Sequence, residues 1–211
     1  PDALRGQIVV VEKAADGALR RATSVQIPGV LDDLYADAAK DVDLGPTVGK
    51  HKTTLRVWAP TAQRARVLVF DTATSTDPSA TLDMARDDDS GVWSASAKKL
   101  EGRYYLYQVK VWAPGPQEVV TNLVTDPYSL SLSTNSARSQ VVDLSSKKLE
   151  PKGWDKLAKP ELKKPEDISV YELHVRDFSA GDPSVPADKR GTFEAFVLED
   201  TNGTDHLEQL A

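Results

Sequence analysis

The segment 169–179, SVYELHVRDFS, contains the side chains best suited to acid–base or metal chemistry. Because side chains alternate along a strand, Glu172 and His174 lie on one side of it, and Asp177 follows at its C-terminal end beside Arg176. These types could supply an acid, a base and a metal ligand. Buried polar groups are usually hydrogen-bonded packing elements, so we interpret Glu172 and His174 as structural groups and Arg176–Asp177 as an ion pair.

Four aromatic residues could instead stack on sugar rings: Trp58, Trp93, Tyr104 and Trp112. A flat apolar ring with a polar edge suits the apolar face of a sugar and its surrounding hydroxyls. The same side chains could equally fill a hydrophobic core, because aromatic residues dominate core burial as readily as binding. Both roles stay open, and we keep Trp93, Tyr104 and Trp112 as candidate substrate contacts.

Composition narrows the class of ligand. The net charge of −6 and the absence of a long basic run argue against binding of nucleic acid or anionic lipid. The absence of cysteine excludes disulfides and thiolate metal sites, and no apolar run is long enough for a membrane span. We therefore expect a neutral or weakly charged ligand, and no metal or other cofactor.

Two polar motifs have plainer interpretations than their first appearance. The run 86–91, RDDDSG, resembles a calcium loop, but it lacks the alternating oxygen ligands and final glutamate of an EF-hand. We predict a polar hairpin turn there. Asn202-Gly203-Thr204 fits a glycosylation sequon, and we interpret it as a turn leading into a helix.

The first third of the chain has mixed character. Two β-prone runs, 7–11 and 23–27, flank the turn dipeptide Asp16-Gly17 and predict a hairpin. Pro28-Gly29 breaks that pattern, and apolar residues at helical spacing then predict a helix over 30–40. Residues 43–49 form a boundary before the next region.

The middle of the chain is the most β-prone region. The predicted strands are 53–59, 65–71, 91–97, 102–113, 118–121 and 140–144. Short strands at this spacing favour a β-sandwich.

Alternation within the longest strand separates its two faces. Tyr105, Tyr107, Val109 and Val111 should face the core, and Tyr104, Leu106, Gln108, Lys110 and Trp112 should be partly wet. The second face is a candidate contact surface.

The last third of the chain changes architecture. Residues 145–166 are rich in Lys, Pro and Glu and read as an interdomain connector. The nearly continuous run 168–175 predicts a strand covered on both sides in a parallel sheet. Asp205, three positions before Glu208, predicts the start of a helix.

A single interior strand and one helical turn cannot bury their own faces. We expect a piece of a longer protein, with 168–211 poorly ordered or packed against polypeptide outside it.

Several motifs carry a resemblance to a known family. Three motifs resemble the first barrel strand, long loop and first helix of pullulanase-type debranching enzymes of the α-amylase superfamily. They are SVYELHVRDFS at 169–179, VPADKRGTFEAF at 185–196 and DHLEQLA at 205–211. Four further motifs resemble the region before the barrel in bacterial pullulanases and plant limit dextrinases. They are GVLDDLYA at 29–36, TLRVWAPTAQ at 54–63, VTDPYSLSLSTNSARSQVVDL at 124–144 and GWD at 153–155. TLRVWAP is shared with isoamylases and branching enzymes, whereas YELHVRDFS with DPYSLSLSTNS follows the pullulanase pattern.

The resemblance implies a mainly β fold in four parts. These are an N-terminal flanking segment at 1–49, an immunoglobulin-like β-sandwich carbohydrate-binding module at 50–148, a linker at 149–166, and the truncated first β/α unit of a (β/α)₈ barrel at 167–211. Asp177 and Phe178 would then lie near the barrel rim and are candidate substrate contacts. The remainder of the barrel is an implied partner.

The implied reaction is hydrolysis of α-1,6 branch linkages in pullulan, starch or limit dextrins with retention of configuration. That chemistry needs a carboxylate nucleophile and a carboxylic acid about 5–5.5 Å apart. In the family these groups follow later barrel strands, so no residue of this chain is assigned a catalytic role and we expect the chain alone to be inactive. An α-glucan is the implied ligand, and an extracellular or cell-surface location is favoured.

Two rival functions remain. The first is a non-catalytic α-glucan-binding or scaffold protein that uses only the sandwich. The second is an isoamylase or branching enzyme, which the long DPYSLSLSTNS and VPADKRGTF segments disfavour. Glycogen-binding relatives of the module carry an Asn-Trp pair and a Trp before an Asp-Pro, where this chain has FDTAT at 70–74 and NLVTDP at 122–127.

Overall fold

The computed structural model describes residues 2–159 and 161–210 of the chain. The chain divides into two compact units, Pro1–Pro151 and Lys152–Ala211. The boundary between the units falls within residues 149–166, where the sequence predicts a linker. Nearly all the regular structure of the first unit is antiparallel β-sheet. Within the described part of the chain, no helix is long and apolar enough to cross a membrane.

The N-terminal segment, residues 2–40, contains the predicted hairpin and helix. A 3₁₀ turn, Asp2–Arg5, precedes β1 (Val9–Lys13) and β2 (Leu19–Ser24), which pair antiparallel. Gly17, at φ +85°, supplies the left-handed turn residue. Helix α1 spans Pro28–Ala39, so the β pattern ends before Pro28-Gly29 as predicted, and the predicted helix over 30–40 begins at Pro28 rather than at Val30. Proline suits the first turn of a helix because its missing N–H would have no partner there.

Two antiparallel sheets form the sandwich, residues 45–141. Its strands are β3 (Gly45–Val48), β4 (Thr53–Trp58), β5 (Ala62–Phe70), β6 (Ala80–Asp83), β7 (Ala85–Arg86), β8 (Val92–Ala97), β9 (Tyr104–Ala113), β10 (Glu118–Val124) and β11 (Ser139–Gln140). One sheet has the order β3-β4-β8-β7, and the other has β10-β9-β5-β6 with β11 beside β9. Five of the six predicted strands are confirmed with small shifts, and the sixth is reduced to β11.

Three short strands escape the sequence prediction. β3 occupies residues predicted to be a boundary, and its Gly and Pro conceal any β-prone pattern. It exists because β4 supplies a ladder, with Val48 opposite Thr53. β6 and β7 lie on either side of Met84 and pair with β5 and β8 respectively, so these two consecutive strands belong to different sheets. Pairing rather than local propensity creates these strands.

The core lies between the two sheets and follows strand alternation. In β4, buried Thr53, Leu55 and Val57 alternate with half-buried neighbours. Across the core, Tyr105 and Tyr107 of β9 are buried, which confirms the predicted inner face of that strand. The remaining members of the buried cluster are Ala62, Ala65, Val67, Val69, Met84, Trp93, Ala95, Leu100 and Val141.

The second unit contains short helices and no strand within its described residues. Residues 168–174 have no ladder partner, and Val175–Ser179 forms helix α2. The predicted strand over 168–175 is therefore wrong for this chain as it stands. A strand needs a hydrogen-bonded neighbour, and the described part of the unit offers none. The backbone at Ile168 and at His174 is extended, but neither residue belongs to a paired strand.

The end of the chain forms a helix, as predicted, but earlier than expected. Helix α3 spans Asn202–Leu210, and the Thr204 N–H donates to the Thr201 hydroxyl (3.3 Å), so Thr201 rather than Asp205 caps it. Asn202-Gly203-Thr204 is thus the first turn of the helix. A small apolar cluster forms where Phe178 stacks on Phe196 with ring centroids 4.1 Å apart.

Candidate functional site

Trp93 lies in the sandwich core. It is 6% exposed, and its indole N–H donates to the Ala59 carbonyl (2.9 Å). Trp58 is half-buried, and its N–H donates to the Ser90 carbonyl (2.9 Å). Trp93 therefore has the core-filling role that the sequence left open, with no ring face free for a sugar in this conformation.

Tyr104 lies at one end of the outer face of the β5-β9 sheet. It is half-buried and pairs with Phe70 on β5 and Gln140 on β11. Phe70 is covered because the Arg138 guanidinium stacks on its ring, 3.7 Å from the centroid. Tyr104 is thus a single partly exposed ring next to a covered one.

Trp112 lies at the other end of β9 and lines a cavity of about 350 Å³, which we call the Trp112 cavity. Its lining residues are Leu4, Gly6, Gln7, Ile8, Ser24, Val25, Gln26, Ile27, Pro28, Thr61, Trp112, Pro114 and Gln117. None of these carries an ionisable side chain. Within residues 2–159 and 161–210 the Trp112 indole N–H has no hydrogen-bond acceptor, in contrast to Trp58 and Trp93.

Two separate parts of the first unit build the Trp112 cavity. The N-terminal segment supplies most of its wall, and the sandwich supplies the rest through β9, the β9–β10 turn and Thr61 in the β4–β5 turn. The Gln63 side-chain amide donates to the Arg5 carbonyl (3.0 Å), and the Arg5 guanidinium lies 3.6 Å from the Asp88 carboxylate. The Arg86 guanidinium donates to the hydroxyl of Tyr35, the buried residue of α1 (3.3 Å). These contacts hold the N-terminal segment against the sandwich.

Gln117 stands in the β9–β10 turn at φ +55°. A left-handed conformation costs a residue with a Cβ about 1–2 kcal/mol, and glycine would avoid that cost. The turn therefore keeps an amide side chain at the cavity wall in a conformation that favours glycine. The sequence alone gave no sign of this.

A second polar hollow of about 100 Å³ lies on the outer face of the same sheet. Arg64, Arg66, Gln108, Lys110 and Thr121 line it. Asp83 accepts hydrogen bonds from Arg64 and Arg66, both 2.8 Å, and these bonds hold the pKa of the Asp83 carboxyl below its usual range. Both guanidinium groups already donate hydrogen bonds to Asp83, so they have fewer donors left for a ligand.

Asp126 is a buried carboxyl within the sandwich. It accepts hydrogen bonds from the hydroxyls of Tyr105 (2.7 Å) and Tyr107 (3.2 Å) and from the Tyr128 N–H (2.8 Å). Burial raises the pKa of Asp126 despite these donors, and burial likewise raises the pKa of both tyrosines. The Asp126 N–H donates to Ser139 (2.8 Å), so the network ties β9 to the loop before β11. Its role is structural.

The candidate residues of the second unit surround an open hollow of about 550 Å³ lined in part by His174, Asp177, Phe178 and His206. Arg176 Nε donates to Asp177 (2.9 Å), which confirms the expected ion pair and lowers the pKa of Asp177. Phe178 has one ring face against Phe196.

Glu172 and His174 are exposed in this chain. The interpretation of both as hydrogen-bonded structural groups inside a barrel stays a prediction, because residues 168–174 have no neighbouring strands among the described residues.

The Asp-rich run 86–91 is a hairpin turn between β7 and β8, as predicted. The Asp89 N–H donates to the Asp87 side chain (2.9 Å), and the Gly91 N–H donates to the Asp87 carbonyl (2.9 Å). Across the described residues no group of three or more His, Asp or Glu side chains is arranged to hold a metal ion.

Two family models match the first unit. Carbohydrate-binding module 48, described as the isoamylase N-terminal domain, matches residues 43–129. The pullulanase N2 domain matches residues 1–33. The pullulanase N2 match ends within α1 and the module 48 match begins after it, and residues from both matches line the Trp112 cavity.

Similar proteins match nearly the whole chain. A pullulanase from Klebsiella pneumoniae is 42% identical over 99% of this chain and 19% of its own length. Pullulanase 1, chloroplastic, from Arabidopsis thaliana is 39% identical over 99% of this chain and 22% of its own. The crystal structure of Klebsiella pneumoniae pullulanase complexed with maltotriose matches with a TM-score of 0.90 and 42% identity, over 98% of this chain and 20% of that one. The chain thus spans about a fifth of the length of these relatives.

Proposed function

We propose that the protein containing this chain is a debranching glycoside hydrolase. The premise is that the chain belongs to the pullulanase family and contains a pullulanase N2 segment and a module of the isoamylase N-terminal type. The full-length protein hydrolyses α-1,6 linkages in pullulan, starch or limit dextrins with retention of configuration. The 211 residues supply the segment and module that accompany the catalytic barrel, and by themselves they do not hydrolyse glucan.

One observation carries the proposal: a single relative of known structure matches 98% of the chain at 42% identity and a TM-score of 0.90. The match includes the N-terminal hairpin and helix, the sandwich and the second unit together. A binding module reused in an unrelated protein would be similar over residues 43–129 alone. Similarity across both units favours a pullulanase over a free-standing scaffold.

The exposed apolar side chains of the second unit support a barrel as the missing neighbour. Ile168, Val170 and Tyr171 are all more than half exposed, and Val170 is 86% exposed. Full burial of such side chains contributes about 1.5–3 kcal/mol each, so a chain that leaves them in water gains little from folding there. We propose that residues 168–174 become the first barrel strand when neighbouring strands are present.

Retaining hydrolysis places specific demands on the rest of the protein. One carboxylate attacks the anomeric carbon while a carboxylic acid protonates the departing oxygen, and the two groups stand about 5–5.5 Å apart. We assign neither role to a residue of this chain. Asp177 and Phe178 remain proposed substrate contacts at the barrel rim, as parts of a surface that later strands would complete.

The experiment compares the full-length protein with residues 1–211 on pullulan. Reducing ends should appear with the full-length protein, the first anomer detected by NMR should be α, and residues 1–211 should release none. Turnover by residues 1–211 would contradict the proposal. So would a full-length protein that leaves pullulan intact while debranching amylopectin or transferring chains, because that is the isoamylase or branching activity.

A second function, α-glucan binding by the module, is favoured by a specific observation. The Trp112 cavity has an aromatic ring and amide and hydroxyl groups in its wall, which is the chemistry that suits sugars. The relative that was crystallised with maltotriose supports α-glucan as the ligand class. The two functions are compatible, since one protein can carry both.

A further inference from the structure

We infer that the Trp112 cavity is a non-catalytic binding site for one or two glucose units of an α-glucan, formed jointly by the N-terminal segment and the sandwich. The choice of an α-glucan rests on the proposed function. The site itself rests on the lining residues, on the Trp112 indole N–H, which has no acceptor among the described residues, and on the conformation of Gln117.

The lining indicates a neutral, polyhydroxylated ligand. Charged residues make up 27% of the chain, yet the cavity wall contains none. Its polar groups are the amides of Gln7, Gln26 and Gln117 and the hydroxyls of Ser24 and Thr61. Amides and hydroxyls both donate and accept, so they suit sugar hydroxyls, which do the same. A charged ligand would find no counter-ion there.

Trp112 supplies the apolar contact. Its ring is half-buried, and its N–H has no acceptor among residues 2–159 and 161–210. Trp58 and Trp93 donate to backbone carbonyls at 2.9 Å and act as packing residues. Of these three sandwich tryptophans, Trp112 alone therefore combines a partly open ring with an N–H available to a ligand oxygen.

Gln117 is held at the wall at a cost in backbone strain, with φ +55°. Strained residues persist where the surrounding structure or a function favours them. Glycine at this position would relieve the strain and remove the amide. The chain has the amide, which agrees with a role for that side chain toward a ligand.

Size limits the ligand. A cavity of about 350 Å³ lies at the lower end of the range for small-molecule sites, roughly 300–1,000 Å³. It accommodates a short stretch of glucan rather than a long helix. Because Leu4, Ile8 and Ile27 come from the N-terminal segment, the site requires that segment to be docked on the sandwich.

The experiment is calorimetric titration of residues 1–211 with maltotriose, with cellotriose as the linkage control. We expect one site per chain with a Kd of about 1 mM or tighter for maltotriose, and no measurable binding of cellotriose. Trp112→Ala should weaken binding at least about tenfold through loss of the stacking ring. Tyr104→Ala, a matched aromatic deletion at the other end of the same strand, should leave the Kd within about twofold.

Gln117→Gly separates a binding role from a structural one. It should raise or maintain the midpoint of thermal unfolding, because glycine tolerates the left-handed conformation, and it should weaken maltotriose binding about threefold or more. Unchanged affinity in this variant would overturn the role of Gln117. Absence of saturable binding by the wild-type chain, or unchanged affinity in a folded Trp112→Ala chain, would overturn the site.

Hydrolysis of pullulan by the full-length protein is measured in parallel, so that two failures can be told apart. Hydrolysis without maltotriose binding by residues 1–211 would overturn the Trp112 site and leave the proposed function standing. Maltotriose binding by residues 1–211 without pullulan hydrolysis by the full-length protein would overturn the proposed function and leave the Trp112 site standing.

Discussion

The sandwich and the second unit use similar residues with opposite results. In the sandwich, Val67 is fully buried between two sheets, whereas in the second unit Val170 is 86% exposed. The aromatic residues differ in the same way: Tyr105 and Tyr107 of the sandwich are buried, whereas Phe193 of the second unit is 78% exposed. Residue type therefore does not decide burial; the presence of neighbouring strands does.

The physical reason is that a strand obtains its stability from partners on both edges and faces. In the sandwich, β5 is paired on both sides, by β6 and β9, and its inner face packs in the core. Residues 168–174 have no β-ladder partner among the described residues of their unit. A β-prone run without a ladder exposes both its peptide groups and its apolar side chains, so it has little reason to remain a strand.

The largest expected effect tests whether the sandwich depends on its buried polar network as well as on apolar packing. Asp126→Ala would leave the hydroxyls of Tyr105 and Tyr107 and the Tyr128 N–H without an acceptor. We expect a loss of about 3–5 kcal/mol in the free energy of unfolding, measured with urea. A loss below about 1 kcal/mol would mean that the network contributes little.

Asp126→Asn sharpens the same test through pH. The folded-state pKa of Asp126 is raised above its unfolded value, so this group favours the folded state below about pH 4 and that contribution is lost as pH rises through the folded-state pKa. Asparagine has no such dependence. The stability of the variant relative to the wild type should therefore increase between pH 3 and pH 7, and a constant difference would contradict the raised pKa.

The next effect compares one substitution in both regions. Val67→Ala removes two buried methyl groups and should cost roughly 2–4 kcal/mol in residues 1–211. Val170→Ala removes the same atoms from an exposed side chain and should cost less than about 0.5 kcal/mol. In the full-length protein the second substitution should become clearly destabilising if a barrel covers Val170. Equal costs in residues 1–211 would break the comparison.

The smallest effect asks how far close packing extends from the sandwich toward the N-terminal segment. Gly91 and Gly102 both have positive φ, but a Cβ at Gly91 would lie 2.7 Å from the Pro60 Cβ, and a Cβ at Gly102 meets nothing within 4 Å. Both alanine variants should lose about 1 kcal/mol through strain, and Gly91→Ala about 1 kcal/mol more through the clash. Identical thermal midpoints would indicate a loosely packed joint near Tyr35.

Local patterns predicted the elements whose own residues suffice to form them. The turn at Asp16-Gly17, helix α1, the longer strands and the inner face of β9 all follow from short-range periodicity. β3, β6 and β7 carry no such pattern, because each is a short strand that exists only through its pairing with a longer neighbouring strand: β4, β5 and β8 respectively. The run 168–175 is the opposite case, since its strong strand pattern has no neighbour to pair with in the described unit.

The candidate site divides in the same way. Trp112 was identified from residue type and its outward position on β9, whereas Trp93 was offered for the same role and lies in the core. The other wall of the cavity comes from the N-terminal segment, and nothing in the sequence near Trp112 indicates that Leu4 or Ile27 would face it. The Asp126 network was likewise invisible, because its hydroxyl donors, Tyr105 and Tyr107, lie on β9, far from Asp126 in the sequence.

By itself the sequence determined a cysteine-free, mainly β chain with a hairpin, a helix, a sandwich of alternating strands and motifs of the pullulanase type. Those features depend on neighbours within a few residues or on motifs that can be read directly. Only the tertiary structure decided which tryptophan is core and which lines a cavity, which carboxyl is buried, and which β-prone run becomes a strand. Each of those outcomes depends on groups brought together from distant parts of the chain, and burial and pairing exist only after that assembly.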